Sequence, residues 1–253
     1  MTTQRERLEA ELNKLLQPRR FRDYCPNGLQ VEGGIEISRL VTGVTASEAL
    51  IDRAIELNAD CLLVHHGYFW RGENQAITGI RRNRLRKLLL NHINLFAYHL
   101  PLDVHEEFGN NAQLGNLLGL ITEEVTGRPG DVAIMAIGRP EQSINLRELQ
   151  TRVEGALTRK PIVVGDPLAQ IHRIAWCTGA AQSFFDLAIE AGVDAFITGE
   201  ISEPSAHLAR ESGVAFVSAG HHATERYGVQ AVGEFLAREF DLQHHFVDIE
   251  NPA

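Results

Sequence analysis

The stretch RLVTGVTASEALIDRAIELNADCLLVHH, residues 39–66, aligns without a gap on RIAWCTGAAQSFFDLAIEAGVDAFITGE, residues 173–200. Arg39 matches Arg173, Asp52 matches Asp186, Ala54-Ile55-Glu56 matches Ala188-Ile189-Glu190, and Asp60 matches Asp194. Apolar positions also correspond, Leu63 with Ile197 among them. In the first copy a β-rich segment, 39–44, leads to 47–57, where Leu50, Ile51, Ala54 and Ile55 recur at helical spacing. The apolar run 61–64 then ends in His65-His66-Gly67. Beyond the copies, INLFAYHLPLD (93–103) and VAFVSAGHHATE (214–225) each run as a strand into His-x-x-x-carboxylate. Strand–helix–strand units can resemble one another by composition alone. An ungapped match followed by a second matching motif argues instead for a duplication.

The remaining segments fit this frame. Helical patterns over 81–91, 110–118 and 146–157 alternate with strand-like runs at 93–98, 132–137 and 161–164, the pattern of sheet covered by helices. The expected fold is α/β, two duplicated α/β halves with mainly parallel sheets covered by helices. The halves are set at 1–125, carrying HHG and HLPLD, and 126–253, carrying GHHATE, and terminal segments are free to exchange between them. The opening MTTQRERLEAELNKLL reads as a charged amphipathic helix rather than a signal peptide. No uncharged run is long enough to span a bilayer, so a cytoplasmic protein is expected. Cys25, Cys61 and Cys177 are odd in number and widely spaced, as reduced structural cysteines are. A net charge of −9 argues against nucleic acid or an anionic membrane as partner. The run holding Arg81, Arg82, Arg84 and Arg86 reads as a solvated helix face.

Open α/β sheets place their ligands at the carboxyl ends of strands. Here three such ends carry imidazoles or carboxylates: His65-His66, His99 with Asp103, and His221 with Glu225. Adjacent His65 and His66 diverge on an extended backbone, and Gly67 lets the chain turn away. His221 and Glu225 stand four apart at the start of a helix, which stacks them on one face. Pro101 places Asp103 on a loop. Three imidazoles and two carboxylates suit a shared two-ion site, and mixed nitrogen and oxygen donors favour iron, zinc, manganese or nickel over calcium or magnesium. Two ions about 3.5–4 Å apart activate water near neutral pH, which makes hydrolysis the default chemistry. No side chain is assigned as catalytic, although His99 or His222 is placed to handle a proton. His99 is a ligand or orients one, and Glu200, the repeat partner of His66, is a supporting or structural residue, as is His207. His222 is expected mainly at the surface, as are His244 and His245, and Asn27-Gly28 reads as a turn without chemistry. Phosphate loops and nucleophile elbows are absent.

The stretches YCPNGLQVEG (24–33), VTGVTAS (41–47), LLVHHGYFW (62–70), YHLPLDVHEEFGNNAQL (98–114), DAFITGEISE (194–203) and AGHHATERYGV (219–229) together resemble the NIF-three-like dinuclear metal proteins, whose members carry the name GTP cyclohydrolase 1 type 2 homologue. The resemblance covers nearly the whole chain and is to the compact bacterial form, since 125–171 is too short for the extra domain of longer members. It implies five metal ligands: His65 and His66 of HHG, Asp103 of HLPLD, and His221 and Glu225 of GHHATE. His222 stands where the family usually has an aromatic residue. The resemblance further implies two divalent transition-metal ions per chain, a toroidal homo-hexamer, and hydrolysis of a small nucleotide-like substrate such as GTP. A non-catalytic metal-binding ring that serves as a scaffold is the alternative.

Overall fold

A computed structural model describes residues 2–130 and 132–253. By contacts the chain forms two compact units, Met1–Phe108 with Gly228–Glu250, and Gly109–Tyr227 with Asn251–Ala253. The chain thus leaves the first unit after Phe108, whereas the repeat sets its halves at 125, and it returns after Tyr227.

The first unit is built on β1 (Gly28–Val31), β2 (Arg39–Thr45), β3 (Cys61–His66), β4 (Asn94–Ala97) and, from the far end of the chain, a strand at Gln243–Phe246. Their order is Gln243–Phe246, β2, β3, β4, β1, with all neighbours parallel except β1 on β4. Period-two alternation divides the buried residues between two faces. Leu40, Cys61, Leu63 and Phe96 pack with Leu8, Leu12 and Leu16 of α1 (Arg5–Leu16) and with Val229, Val232 and Leu236 of the helix Arg226–Phe240. Val41, Leu62, Val64 and Leu95 pack with Leu50, Ile51 and Ala54 of α2 (Glu48–Glu56) and with Leu85 and Leu88 of α3 (Gly79–Leu90). Ser47 starts α2 by accepting from Leu50 N, as an N-cap serine does. Two further short helices, α4 (Leu100–Val104) and α5 (Asn110–Leu117), follow β4.

In the second unit β5 (Leu120–Thr126), β6 (Met135–Pro140), β7 (Ile162–Val164), β8 (Ile174–Cys177), β9 (Ala195–Thr198) and β10 (Ala215–Ser218) form a sheet in the order β7-β10-β9-β8-β6-β5. Its centre, β8-β9-β10, is parallel, and its edges are antiparallel. The sheet is therefore mixed, because β5 and β6 form a hairpin with no crossover helix between them. One face carries Ile174, Trp176, Ile197 and Val217 against α5 and α6 (Leu146–Leu157). The other carries Ala175, Phe196 and Phe216 against α7 (Phe185–Glu190) and α8 (Glu203–Ser212). The chain then continues through α9 (His221–Thr224) into α10 (Arg226–Phe240), and the strand Gln243–Phe246 is labelled β11.

The repeat is explicit in the hydrogen bonding. Leu40 pairs with Cys61 in one sheet and Ile174 with Ala195 in the other, the same positions by the alignment. Asp60 Oδ2 accepts from Ser38 N, Ser38 Oγ and Arg39 N at 2.8–2.9 Å. Its counterpart Asp194 Oδ2 accepts from His172 N and Arg173 N at 2.8 Å. In both units the aspartate's own N–H donates to the arginine's carbonyl, Arg39 or Arg173. One carboxylate thus ties the start of the second strand to the start of the first.

The cysteines are free and buried, as expected of structural thiols. Among the described residues no helix is long and apolar enough to cross a membrane. His245 is exposed, but His244 is turned inward, with Nε2 2.8 Å from Thr42 Oγ1. It sits over Gly233 of α10, where a side chain would collide with its ring. The HH pair lies within β11, so its two members face opposite ways, which is why a common surface assignment fails for His244.

Two outcomes follow from these contacts. Asp60→Ala strands backbone donors and should lower stability by about 1–3 kcal/mol in urea unfolding, and an unchanged midpoint would refute the clamp. Burial, with His245 adding to it, pushes His244 down from 6.5 to about 4. The unfolded chain therefore takes up this proton before the native one does. Stability from the neutral ring is complete above pH 6.5 and is lost as pH falls towards about 4. His244→Gln should flatten the acid limb of a melting-temperature profile over that window.

Candidate metal centre

In the first unit β3 delivers His65 and His66 at its carboxyl end, and β4 leads through Tyr98 to His99. His65 is fully buried, with Nδ1 3.0 Å from the carbonyl of Tyr98. A carbonyl only accepts, so Nδ1 carries the proton and Nε2 presents its lone pair. That Nε2 lies 3.5 Å from Oδ1 of Asp103. His66 Nδ1 is 3.0 Å from Thr45 Oγ1, and His99 Nδ1 is 2.7 Å from Asp23 Oδ1. His65, His66 and His99 each offer a ring nitrogen within 4.8 Å of the others. Trp70 stands edge-on to His99, ring centroids 4.9 Å apart.

Asp103 lies in the short helix α4, not on a loop. Pro101 is in the first turn, where the missing N–H has no intrahelical partner to lose. Asp23 starts that helix by accepting from Leu100 N at 2.9 Å. Gly67 is needed for close approach rather than for turning. An added Cβ would lie 2.2 Å from Gln30 Oε1 and 2.5 Å from Ala97 Cβ.

In the second unit His221 opens α9 and Glu225 follows its last residue. His221 Nε2 is 3.2 Å from Glu225 Oε2, and His221 Nδ1 is 2.7 Å from Glu200 Oε1. Glu200 thus holds the far side of the imidazole, the supporting role its repeat position implies. Burial pulls the His221 ring down, but the hydrogen bonds and charges of Glu225 and Glu200 outweigh it and hold it up at about 9. Carboxylates that draw a proton onto the ring between them create the field a divalent cation answers, with the proton released on binding. Gly179, at φ +69°, makes room for the buried Glu225: a Cβ there would lie 2.1 Å from its Oε1. His207 only pairs with Glu203 at the surface. His222 is buried, contrary to its expected surface position, and its N–H donates to the carbonyl of Ala253.

The donor set of each unit fits a transition metal. Imidazole nitrogens are locked at Nδ1, and a buried carboxylate lies beside Nε2 in both. Two contributors escape the sequence reading. Asp23 orients His99, and Asn27 accepts from His99 N at 2.7 Å while donating to Asp23. Both lie over seventy residues from His99 in the chain. Their only local signal is the polar DYCPNG run before β1.

The model of the Duf34/NIF3 (NGG1p interacting factor 3) family matches residues 3–252. Over 249 residues the chain is 52% identical to a Pseudomonas aeruginosa PAO1 protein named GTP cyclohydrolase 1 type 2 homolog, with 97% of each chain covered. A relative of the same name from Escherichia coli K12 is 50% identical over 248 residues, covering 97% of this chain and 98% of the relative. Among solved structures, the one described as structural genomics protein ybgI, of unknown function, matches with TM-score 0.95 at 49% identity, covering 99% of this chain and all of the other. A protein from Thermus thermophilus matches with TM-score 0.88 at 33% identity, again over 99% and 100%. With the family model spanning nearly every residue and relatives matched end to end, this chain belongs to the Duf34/NIF3 family.

Proposed function

We propose that His65, His66, Asp103, His221 and Glu225 together hold two divalent transition-metal ions, iron, zinc, manganese or nickel, and that the protein is a hydrolase of a small nucleotide-like substrate. The observation that carries this reading recurs in each unit taken alone. A histidine is held at Nδ1 by an acceptor of the protein, and its Nε2 lies beside a buried carboxylate. The acceptors at Nδ1 orient each ring so that Nε2 faces the cation, at His221 with release of the proton its two carboxylates hold there. Bound ions would supply activated water near neutral pH. The protein's own part is to orient the ligands and, through His99 held by Asp23, to accept or return a proton at Nε2.

The relatives' name, GTP cyclohydrolase 1 type 2 homolog, supports a nucleotide as the first substrate class to test. The assembly we propose is the toroidal homo-hexamer. Ile80, Leu89 and Leu90 of α3 are exposed apolar residues of the kind that subunit contacts cover. Metal retention without turnover would instead select the non-catalytic metal-binding ring.

Elemental analysis of the purified protein should find about two ions per chain. Asp103→Ala and Glu225→Ala should each lose at least one, and a full complement in both variants would sink the assignment. Gly179→Ala drives a methyl group into Glu225 Oε1 from a positive-φ position. It should reduce metal content as Glu225→Ala does and destabilise the fold by about 1–3 kcal/mol, read by thermal denaturation.

A further inference from the structure

In the first unit a cavity of about 590 Å³ opens between the end of α1 and the residues that follow it. Its volume is that of small-molecule sites. Its polar lining separates into spent and unspent groups. Asp23 Oδ1 receives Tyr24 N and His99 Nδ1, while Oδ2 receives Asn27 Nδ2 and Leu100 N, so this carboxylate is saturated. The side-chain oxygen of Asn27 is taken by His99 N. Tyr98 Oη donates to Asn13 Oδ1 at 2.9 Å, and Arg20 Nη1 donates to Gln17 Oε1 at 3.0 Å. Each of these oxygens already accepts one bond, and Asn13 and Gln17 keep their amide N–H groups for a ligand. Arg19 and Arg20 add two guanidinium groups to the same wall. Burial and the Asp23 charge push the lining Cys25 thiol up to about 12, so it is neutral. In a chain of net charge −9 this cavity brings together two guanidinium groups and amide donors, and its one carboxylate, Asp23, already receives four donors. These groups suit an anionic ligand rich in acceptors. Pro18 and Phe21 supply the apolar part of the lining.

We propose that this cavity binds the phosphoryl groups of a phosphate-bearing small molecule, with Arg19 and Arg20 as the clamp and Asn13 as a neutral donor. Arginine forks match phosphate oxygens in geometry as well as charge. The proposal rests on the nucleotide-like substrate class proposed above and assigns that substrate a place. Asp23 is the link, lining the cavity while its Oδ1 orients His99 of the imidazole cluster.

The test is calorimetric titration of the metal-loaded protein with tripolyphosphate, GTP and guanosine, with metal content measured on the same samples. Tripolyphosphate and GTP should bind, and guanosine should bind at least tenfold more weakly than GTP. The exposed pair Arg19→Ala/Arg20→Ala should weaken both anions at least tenfold and flatten the salt dependence, with metal content unchanged. Asn13→Asp keeps the acceptor for Tyr98 but replaces the donor with a negative charge, and should weaken them at least tenfold as well. Unchanged affinity in both variants would overturn the proposal. So would guanosine binding as tightly as GTP, or no binding of either anion at millimolar concentration to protein that carries its metal. Tripolyphosphate bound in an Arg19- and Arg20-dependent way by protein that never takes up metal would uphold the cavity and remove the hydrolase reading instead.

Discussion

A single carboxylate in each unit, Asp60 in one and Asp194 in the other, gathers the backbone N–H groups that open the first strand of the repeat. Because the same residue immediately precedes the second strand, its position sets how the two parallel strands meet. Side chains on a strand alternate faces, so a slip of one residue would exchange the buried and presented sets. Register is therefore what decides that His65 faces the carbonyl of Tyr98 while His66 reaches Thr45. In the other copy it decides where the chain leaves β9 for Glu200 and its partner His221. The chemistry at the strand ends is aimed from the strand beginnings.

The imidazoles are then held by a second constraint, applied at Nδ1. A backbone carbonyl, a threonine hydroxyl and two carboxylates serve His65, His66, His99 and His221. Chemically different partners yield the same outcome, a ring whose orientation is set by the protein rather than by solvent. Glycine takes part by absence. Gly67 and Gly179 are the places where a β-carbon would strike Gln30 or Glu225, so the supporting groups can press directly against the main chain.

Much of this was legible in the residues because duplication writes it twice. The α/β class, the helices at 48–56, 79–90 and 146–157, and the strand ends bearing HH follow from local periodicity and from the second copy. The matched pair Asp60 and Asp194 was visible too, though not its role, since a carboxylate capping main-chain donors about twenty residues away leaves no periodic trace. What stayed hidden is non-local. Asp23 and Asn27 reach His99 across the chain, and the antiparallel edges of the second sheet arise from a hairpin that carries no helix to announce it. Asp103 lies in a helix rather than on the expected loop because Pro101 stands in the first turn, where proline starts a helix instead of breaking one. His222 and His244 show the limit of polarity as a guide to burial: His222 is buried, and His244 turns inward on the strand while His245 faces out.

The strand Gln243–Phe246 lies at the edge of the first unit's sheet, beside β2. A ribosome delivers β2 roughly two hundred residues before it delivers that partner, with the whole stretch 109–227 emerging in between. Until then β2 has an open main-chain edge, and the leucines of β2 and α1 await Val229, Val232 and Leu236. The 109–227 unit, by contrast, has nearly all of its strands and helices in hand once Tyr227 is out. Synthesis thus inverts the order of the numbering: the unit encoded in the middle is free to close first, and the one encoded at the start must wait for residues 228–250.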